Sequence, residues 1–312
     1  MKKPIKIAVV GAGSVGCYFG GMLARAGQDV SLIARPQHVE AINQNGLLMD
    51  CVNFQDIVKL KAASDYKPLL DADLVMLCVK SYDTEKVVKE IKPFLAPEAI
   101  ILSLQNGVDN VNLAQMNLDN QVYPTVVYVA VGMAGPGHLK HFGRGELVLG
   151  SMTDLNEKSG SVLESIAQFL TANGVPSFVS KEIKKELWLK FLVNCIYNGI
   201  SAVGQIEYGQ MVRVPAINVL IETLTREFLE VAAKEGVNIS WDEAIQANRK
   251  IAETMAHQKS STAQDLSKKK LTEIEFLNGF IVRKGFEHQV STPSHQALYA
   301  MVKMFEFINT QV

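Results

Sequence analysis

Apolar residues follow two different patterns along the chain, and the change of pattern divides it. In the first half, short continuous apolar runs alternate with helical periodicity. IKIAVVGAG (5–13) reads as a strand running into glycines, and 14–27 as a helix ended by Gly27. DVSLIAR (29–35), DLVMLCVK (73–80) and AIILSLQNG (99–107) are further strands, with helices over 83–94 and from about Asp109. Strands that are apolar on both faces have no side to turn to water, so the pattern predicts a parallel sheet covered by helices on both faces. Residues 46–62 alternate loosely and suggest extra strands, and the Val- and Gly-rich 122–150 suggests strands and turns. A helix near 157–172 and a short strand at 175–180 complete this half.

From Lys181 onward strand signals nearly vanish. Helical periodicity runs over 182–208, 212–235, 242–257, 272–287 and 294–309. The expected domains are therefore 1–180, α/β, and 181–312, all-α. One stretch, ELWLKFLVNCIYNG (186–199), sets Lys190, Asn194 and Asn198 four residues apart among apolar neighbours. On an α-helix these three would form a single stripe. An unpartnered buried amide costs about 1–3 kcal/mol, so such a stripe needs compensation. Either Lys190 snorkels to water while the asparagines bond to backbone, or the three groups face a ligand.

Composition narrows the choice of partners. With 312 residues, 48% apolar and 20% charged, the chain has the profile of an ordinary soluble protein. Basic and acidic residues number 31 and 32, a formal charge of −1, which gives no electrostatic case for nucleic acid or an anionic membrane. The apolar run after Lys2-Lys3 is broken by glycines and reads as a first strand rather than a secretory signal. Cys17, Cys51, Cys78 and Cys195 lack CxxC spacing, as expected of reduced thiols in a cytoplasmic protein. His138 and His141 lack a convincing third ligand, and no metal is expected.

Gly11-Ala12-Gly13-Ser14-Val15-Gly16 fits G-x-G-x-x-G directly after a strand and at the start of a helix. In that context Gly11 permits the tight turn, Gly13 admits a pyrophosphate, and Gly16 lets helix and strand approach. The second strand ends in Ala34-Arg35-Pro36, without the acid that commonly receives the ribose of NAD. Arg35 suits a 2′-phosphate instead, so NADPH is favoured over NADH. Lys80 and Gln105-Asn106-Gly107 close two further strands, where ligands of open parallel sheets bind.

Farther on, SSTAQDLSKKKLTEIEFLNG (260–279) carries Thr272 and Glu275 at capping-box spacing, with a triple lysine that reads most simply as a solvated patch. GAGSVG, Arg35, Lys80, LQNG (104–107), GPGHLKHFGRG (135–145), LWLKFLVNCIYN (187–198) and this last segment together resemble the ketopantoate reductase family (2-dehydropantoate 2-reductases) over nearly the whole chain. The resemblance implies a Rossmann-type α/β domain followed by an all-α domain like the C-terminal domain of 6-phosphogluconate dehydrogenase. It implies reduction of a small 2-keto acid by NADPH in a cleft between them. Matched residue by residue, Lys190 donates the proton, and Asn194, Asn198, Ser260 and Ser261 hold the substrate. Asn106 sits between cofactor and substrate, and Glu273 contacts the cofactor.

An ammonium suits this chemistry, because hydride arrival builds negative charge on the carbonyl oxygen, and an unperturbed lysine, titrating near ~10.4, carries a proton to give it. Three departures fall on the expected substrate wall: Gly199-Ile200-Ser201-Ala202 replaces a proline-containing stretch, Tyr208 a substrate-contacting asparagine, and Thr262 a methionine. The alternatives are a related hydroxyacid dehydrogenase for another keto acid, or a non-catalytic NADPH sensor. The helical half could support a homodimer, though no sequence feature marks an interface.

Overall fold

The computed structural model describes residues 5–153 and 157–310. Two compact units divide after Ile183. The first opens with β1 (Lys6–Val10), α1 (Ser14–Arg25), β2 (Asp29–Ile33), α2 (Pro36–Asn45), β3 (Leu47–Cys51), β4 (Phe54–Val58) and β5 (Lys61–Ala63). It continues with β6 (Leu74–Leu77), α3 (Thr84–Ile91), β7 (Ile100–Ser103), α4 (Asn110–Asn117), β8 (Val122–Gly135), β9 (His138–Leu149), α5 (Glu157–Ala172) and β10 (Ser177–Val179). The strand order β5-β2-β1-β6-β7-β8, all parallel, is that of a dinucleotide-binding sheet. Beyond it the sheet turns antiparallel at β8–β9, and again at β3–β4.

Alternation along β1 shows why these strands read as continuous apolar runs. Ile7 and Val9 join a core with Cys17, Phe19 and Leu23 of α1. Ala8 and Val10 join a second core with Val88 and Ile91 of α3 and Val111 and Ala114 of α4. Both faces are covered, so neither phase of the strand can be polar.

The second unit is helical: α6 (Ile183–Val193), α7 (Gly199–Gly204), α8 (Tyr208–Met211), α9 (Pro215–Lys234), α10 (Trp241–Thr254), α11 (Ser261–Ser267), α12 (Asn278–His288) and α13 (Pro293–Thr310). Trp188 and Phe191 of α6 meet Phe228 of α9 and Phe280 of α12 with ring centroids 5.5–6.2 Å apart, which pins one face of α6.

Three expectations need correction. The helix over 182–208 is not uniform: Asn194–Asn198 is a π-helical turn between α6 and α7, and α7 ends at Gln205 with φ 47°. The helix over 272–287 begins only at Asn278, after a single 3₁₀ turn at Ile274–Phe276. The capping box does not form there, because Thr272 Oγ1 and N–H both donate to Glu306 Oε1 (2.6 and 2.9 Å), and the Glu275 carboxylate accepts from Arg283 and Tyr299. The helix α2 over 36–45 carried too weak an apolar stripe to be foreseen; only Ile42 in it is buried.

Candidate active site

The fingerprint loop sits where the strand order reverses, between the carboxyl ends of β1 and β6. Gly11 adopts φ +89°, and a Cβ there would meet Val79 N at 2.7 Å and Cys78 C at 2.9 Å. Gly16 is equally constrained: a Cβ would lie 2.7 Å from the Gly11 carbonyl oxygen and 2.9 Å from Val9 Cγ1. At Gly13 nothing lies within 4 Å of the same position. The two outer glycines thus let backbone and helix close up, while the middle one leaves the approach open. Gly13 caps α1 with no side-chain hydrogen bond, and no acid occupies the first turn. Amide donors at Ser14 and Val15 and the positive end of the helix suit a pyrophosphate. Arg35, exposed, follows β2 and caps α2.

Beside this loop, a buried polar network joins the ends of β6 and β7. Gln105 Nε2 donates to the Val79 carbonyl (3.1 Å) and to Thr84 Oγ1 (2.6 Å). Thr84 Oγ1 donates to Asn110 Oδ1 (2.9 Å), and Asn110 Nδ2 to Ser81 Oγ (3.2 Å) and the Asn106 carbonyl (2.6 Å). Ser81 Oγ donates to the same Asn106 carbonyl (3.2 Å). Lys80 and Asn106, both half-buried, are therefore held at neighbouring strand ends. Ser81, Thr84 and Asn110 were not foreseen. A run of hydroxyl and amide residues just past two strand ends was their only trace.

In the helical unit, Lys190 and Asn194 are half-buried, while Asn198 is 3% exposed. On a continuous α-helix, two steps of four would carry Asn198 about 80° around from Lys190. A π-turn, bonded i to i+5, advances less per residue and rotates Asn198 back toward that line. Tyr208 is not an open wall residue: it is 6% exposed, packs edge-on against Tyr197 (5.4 Å, 89°) and donates to Asn198 Oδ1 (3.2 Å). Burial, with Tyr197 alongside, pushes its phenol far up, so it stays a donor. Asn198 is left with its amide nitrogen to offer.

Ser260 is 1% exposed; its hydroxyl accepts from Ala263 N (3.0 Å) as the cap of α11 and donates to the Asn198 carbonyl (3.2 Å). It thus acts on Asn198 from behind rather than through an open hydroxyl. Ser261 is exposed, Thr262 is 2% exposed and Glu273 5%. His138 and His141 both lie on β9; His138 sits 3.8 Å from Asp50, and His141 Nε2 donates to the Arg144 carbonyl (2.6 Å). Among the described residues no helix is long and apolar enough to cross a membrane.

Comparison with known proteins covers both units. The family described as Ketopantoate reductase PanE/ApbA matches residues 7–154, and its C-terminal counterpart matches residues 182–306. A 2-dehydropantoate 2-reductase of Archaeoglobus fulgidus is 31% identical, the alignment covering 96% of this chain and 98% of that one. A crystal structure of a PanE/ApbA family ketopantoate reductase from Ralstonia eutropha JMP134 is 45% identical, with a TM-score of 0.91 over 98% of this chain and 100% of that one. A ternary structure of D-mandelate dehydrogenase with NADH and anilino(oxo)acetate is 28% identical, again with a TM-score of 0.91 over 98% and 100%. With a Rossmann-type unit, a helical unit and relatives spanning both, the chain belongs to the ketopantoate reductase family and is an oxidoreductase.

Proposed function

We propose that the protein reduces 2-dehydropantoate to pantoate, the step that feeds pantothenate and coenzyme A synthesis, with NADPH as reductant. The observation that carries this reading is the Lys190–Asn194–Asn198 line: an ammonium and two amides on one segment, with the rear of Asn198 tied to Tyr208 and Ser260. Bound NADPH supplies the hydride. Ser14 and Val15 amides would hold its pyrophosphate, Arg35 its 2′-phosphate, and Lys80 and Asn106 its nicotinamide half, with Glu273 also contacting the cofactor.

Lys190 donates its proton to the carbonyl oxygen as charge builds there, and its positive charge attracts the anionic acid. Asn194, Asn198 and Ser261 orient the carboxylate and hydroxyl of the substrate, so that the reacting atoms meet in a near-attack geometry. Ser260 and Tyr208 hold Asn198 in place.

A second reading is favoured by the D-mandelate dehydrogenase likeness: a related dehydrogenase acting on another 2-keto acid, with NADH. Its sequence support is Tyr208, which departs from the family pattern and acts on the site through its hydrogen bond to Asn198 Oδ1. Initial rates of NADPH and NADH oxidation against ketopantoate, straight-chain 2-keto acids and aryl 2-keto acids separate the two. The first reading expects ketopantoate with NADPH to lead by at least about tenfold in kcat/KM. Preference for an aryl acid with NADH would replace it by the second, and binding of NADPH without any turnover would make the chain a sensor.

A further inference from the structure

We propose that Asn278 is a positioning residue for the keto acid site, acting as a side-chain clamp on the π-turn that places Asn198 relative to Lys190. A π-turn is an interruption in the i to i+4 ladder and leaves backbone carbonyls to be satisfied by other donors. Two side chains supply them. Ser260 Oγ reaches the Asn198 carbonyl at 3.2 Å, and Asn278 Nδ2 reaches the Cys195 carbonyl at 2.9 Å. Asn278 comes from the first position of α12, 83 residues on in sequence, and is 0% exposed.

The orientation of its amide is fixed by what surrounds it. Nδ2 also lies 3.0 Å from His295 Nδ1, while His295 Nε2 lies 3.0 Å from the Leu224 carbonyl. A carbonyl can only accept, so Nε2 carries the imidazole hydrogen and Nδ1 is the acceptor. Both neighbours of the Asn278 nitrogen are therefore acceptors, and a flipped amide would set oxygen against oxygen and lone pair. Asn278 Oδ1, buried without a hydrogen-bond partner, lies 3.7 Å from where a Cβ of Gly199 would stand, at the exit of the π-turn.

His295 is itself held. Its backbone N–H donates to Glu227 Oε2 (3.1 Å), and its ring lies 6.4 Å from that of Phe228. The chain of contacts from α9 through His295 and Asn278 to Cys195 gives the π-turn a rigid backing independent of Ser260. The turn carries Asn198 at its end and follows Lys190 by one helical turn, so loosening the clamp moves one binder relative to the proton donor.

This inference rests on the keto acid reading for its consequence, though not for its geometry. The test uses the full chain with Asn278→Leu, which keeps bulk and removes both donors, and His295→Phe, which removes the acceptor fixing the amide together with the donor to the Leu224 carbonyl. Three quantities are read: amide hydrogen exchange over 194–204 without substrate, the dissociation constant for NADPH, and kcat and KM for the preferred 2-keto acid. The clamp predicts exchange faster by about tenfold or more, localised to that segment, in Asn278→Leu. It predicts a fall in kcat of about 10- to 100-fold, as expected for sub-ångström to 1 Å misplacement, with NADPH affinity within about twofold. His295→Phe moves the same quantities in the same direction by less, and decides the matter if Asn278→Leu does not fold. Native exchange with native kcat, exchange raised evenly through the helical unit, or localised loosening with unchanged kcat would each overturn it. Should the unaltered chain reduce no 2-keto acid, the functional reading falls while the exchange data still decide the clamp.

Discussion

On the proposed reading, the loop at Gly11–Gly16 and the segment from Lys190 to Asn198 do comparable work by different means. In the loop, the groups proposed to meet the ligand are backbone amides, and the side chains matter chiefly by being absent: two glycines let the chain close up and the third leaves room. In the helical segment the groups proposed to meet the ligand are side chains. Their alignment depends on a π-turn braced by Ser260 and Asn278, 62 and 83 residues away from the carbonyls they hold, while Tyr208 holds the Asn198 side chain. A backbone site tolerates no added atom at a few positions. A side-chain site can be altered at a distance.

The sharpest way to break the comparison is at the loop. Gly11→Ala adds a Cβ 2.6–2.9 Å from Val79 and Cys78 at a φ of +89°, so the turn itself must change. Titration of the variant with NADPH should show affinity lost by about hundredfold or more, with the helical unit unaffected. Next in size is Arg35→Ser. Loss of a charged contact to the 2′-phosphate should cost about 1.5–3 kcal/mol, a drop of about tenfold or more in kcat/KM with NADPH and little change with NADH. An equal loss with both cofactors would remove Arg35 from that role.

A smaller effect should follow Tyr208→Phe, which deletes only the donor to Asn198 Oδ1. KM for the keto acid should rise by about three- to tenfold with NADPH affinity intact, in keeping with one lost neutral hydrogen bond. The last is a pH effect, on stability and not on turnover. Burial holds the His295 imidazole down, to about 4 against an ordinary value of 6.5, with the Leu224 hydrogen bond and Glu227 opposing it. Between about 6.5 and 4 the unfolded chain takes up a proton there that the folded chain refuses. This contribution to stability is therefore in full force above about 6.5 and declines as pH falls to about 4. Denaturant midpoints of the native chain should fall across that window, and His295→Phe should flatten the decline.

The same contrast governs how much could be read from sequence. The parallel sheet and the glycine loop at the start of α1 were legible because continuous apolar runs, tight glycines and a helix start are local signals. Lys190, Asn194 and Asn198 were legible as a set, but the stripe was drawn on a regular α-helix, and nothing local announces the π-turn. The reason is physical: a one-turn irregularity is stabilised by donors elsewhere in the chain, such as Asn278, and not by its own residues. Tyr208 and Thr262 stood out only as substitutions at an expected substrate wall, whereas in the structure both are buried, Tyr208 behind Asn198. Thr272 shows the converse, since its capping-box spacing was outcompeted by the carboxylate of Glu306 on α13.

The central claim is that the ammonium on the helical segment performs the proton transfer while the glycine loop holds the cofactor independently of it. Single-turnover oxidation of enzyme-bound NADPH by ketopantoate in Lys190→Ala, alongside direct titration of NADPH binding, tests both halves together. The account predicts a dissociation constant within about twofold of the native chain and hydride transfer slower by at least about a hundredfold. Hydride transfer at the native rate, with cofactor binding equally unchanged, would contradict it.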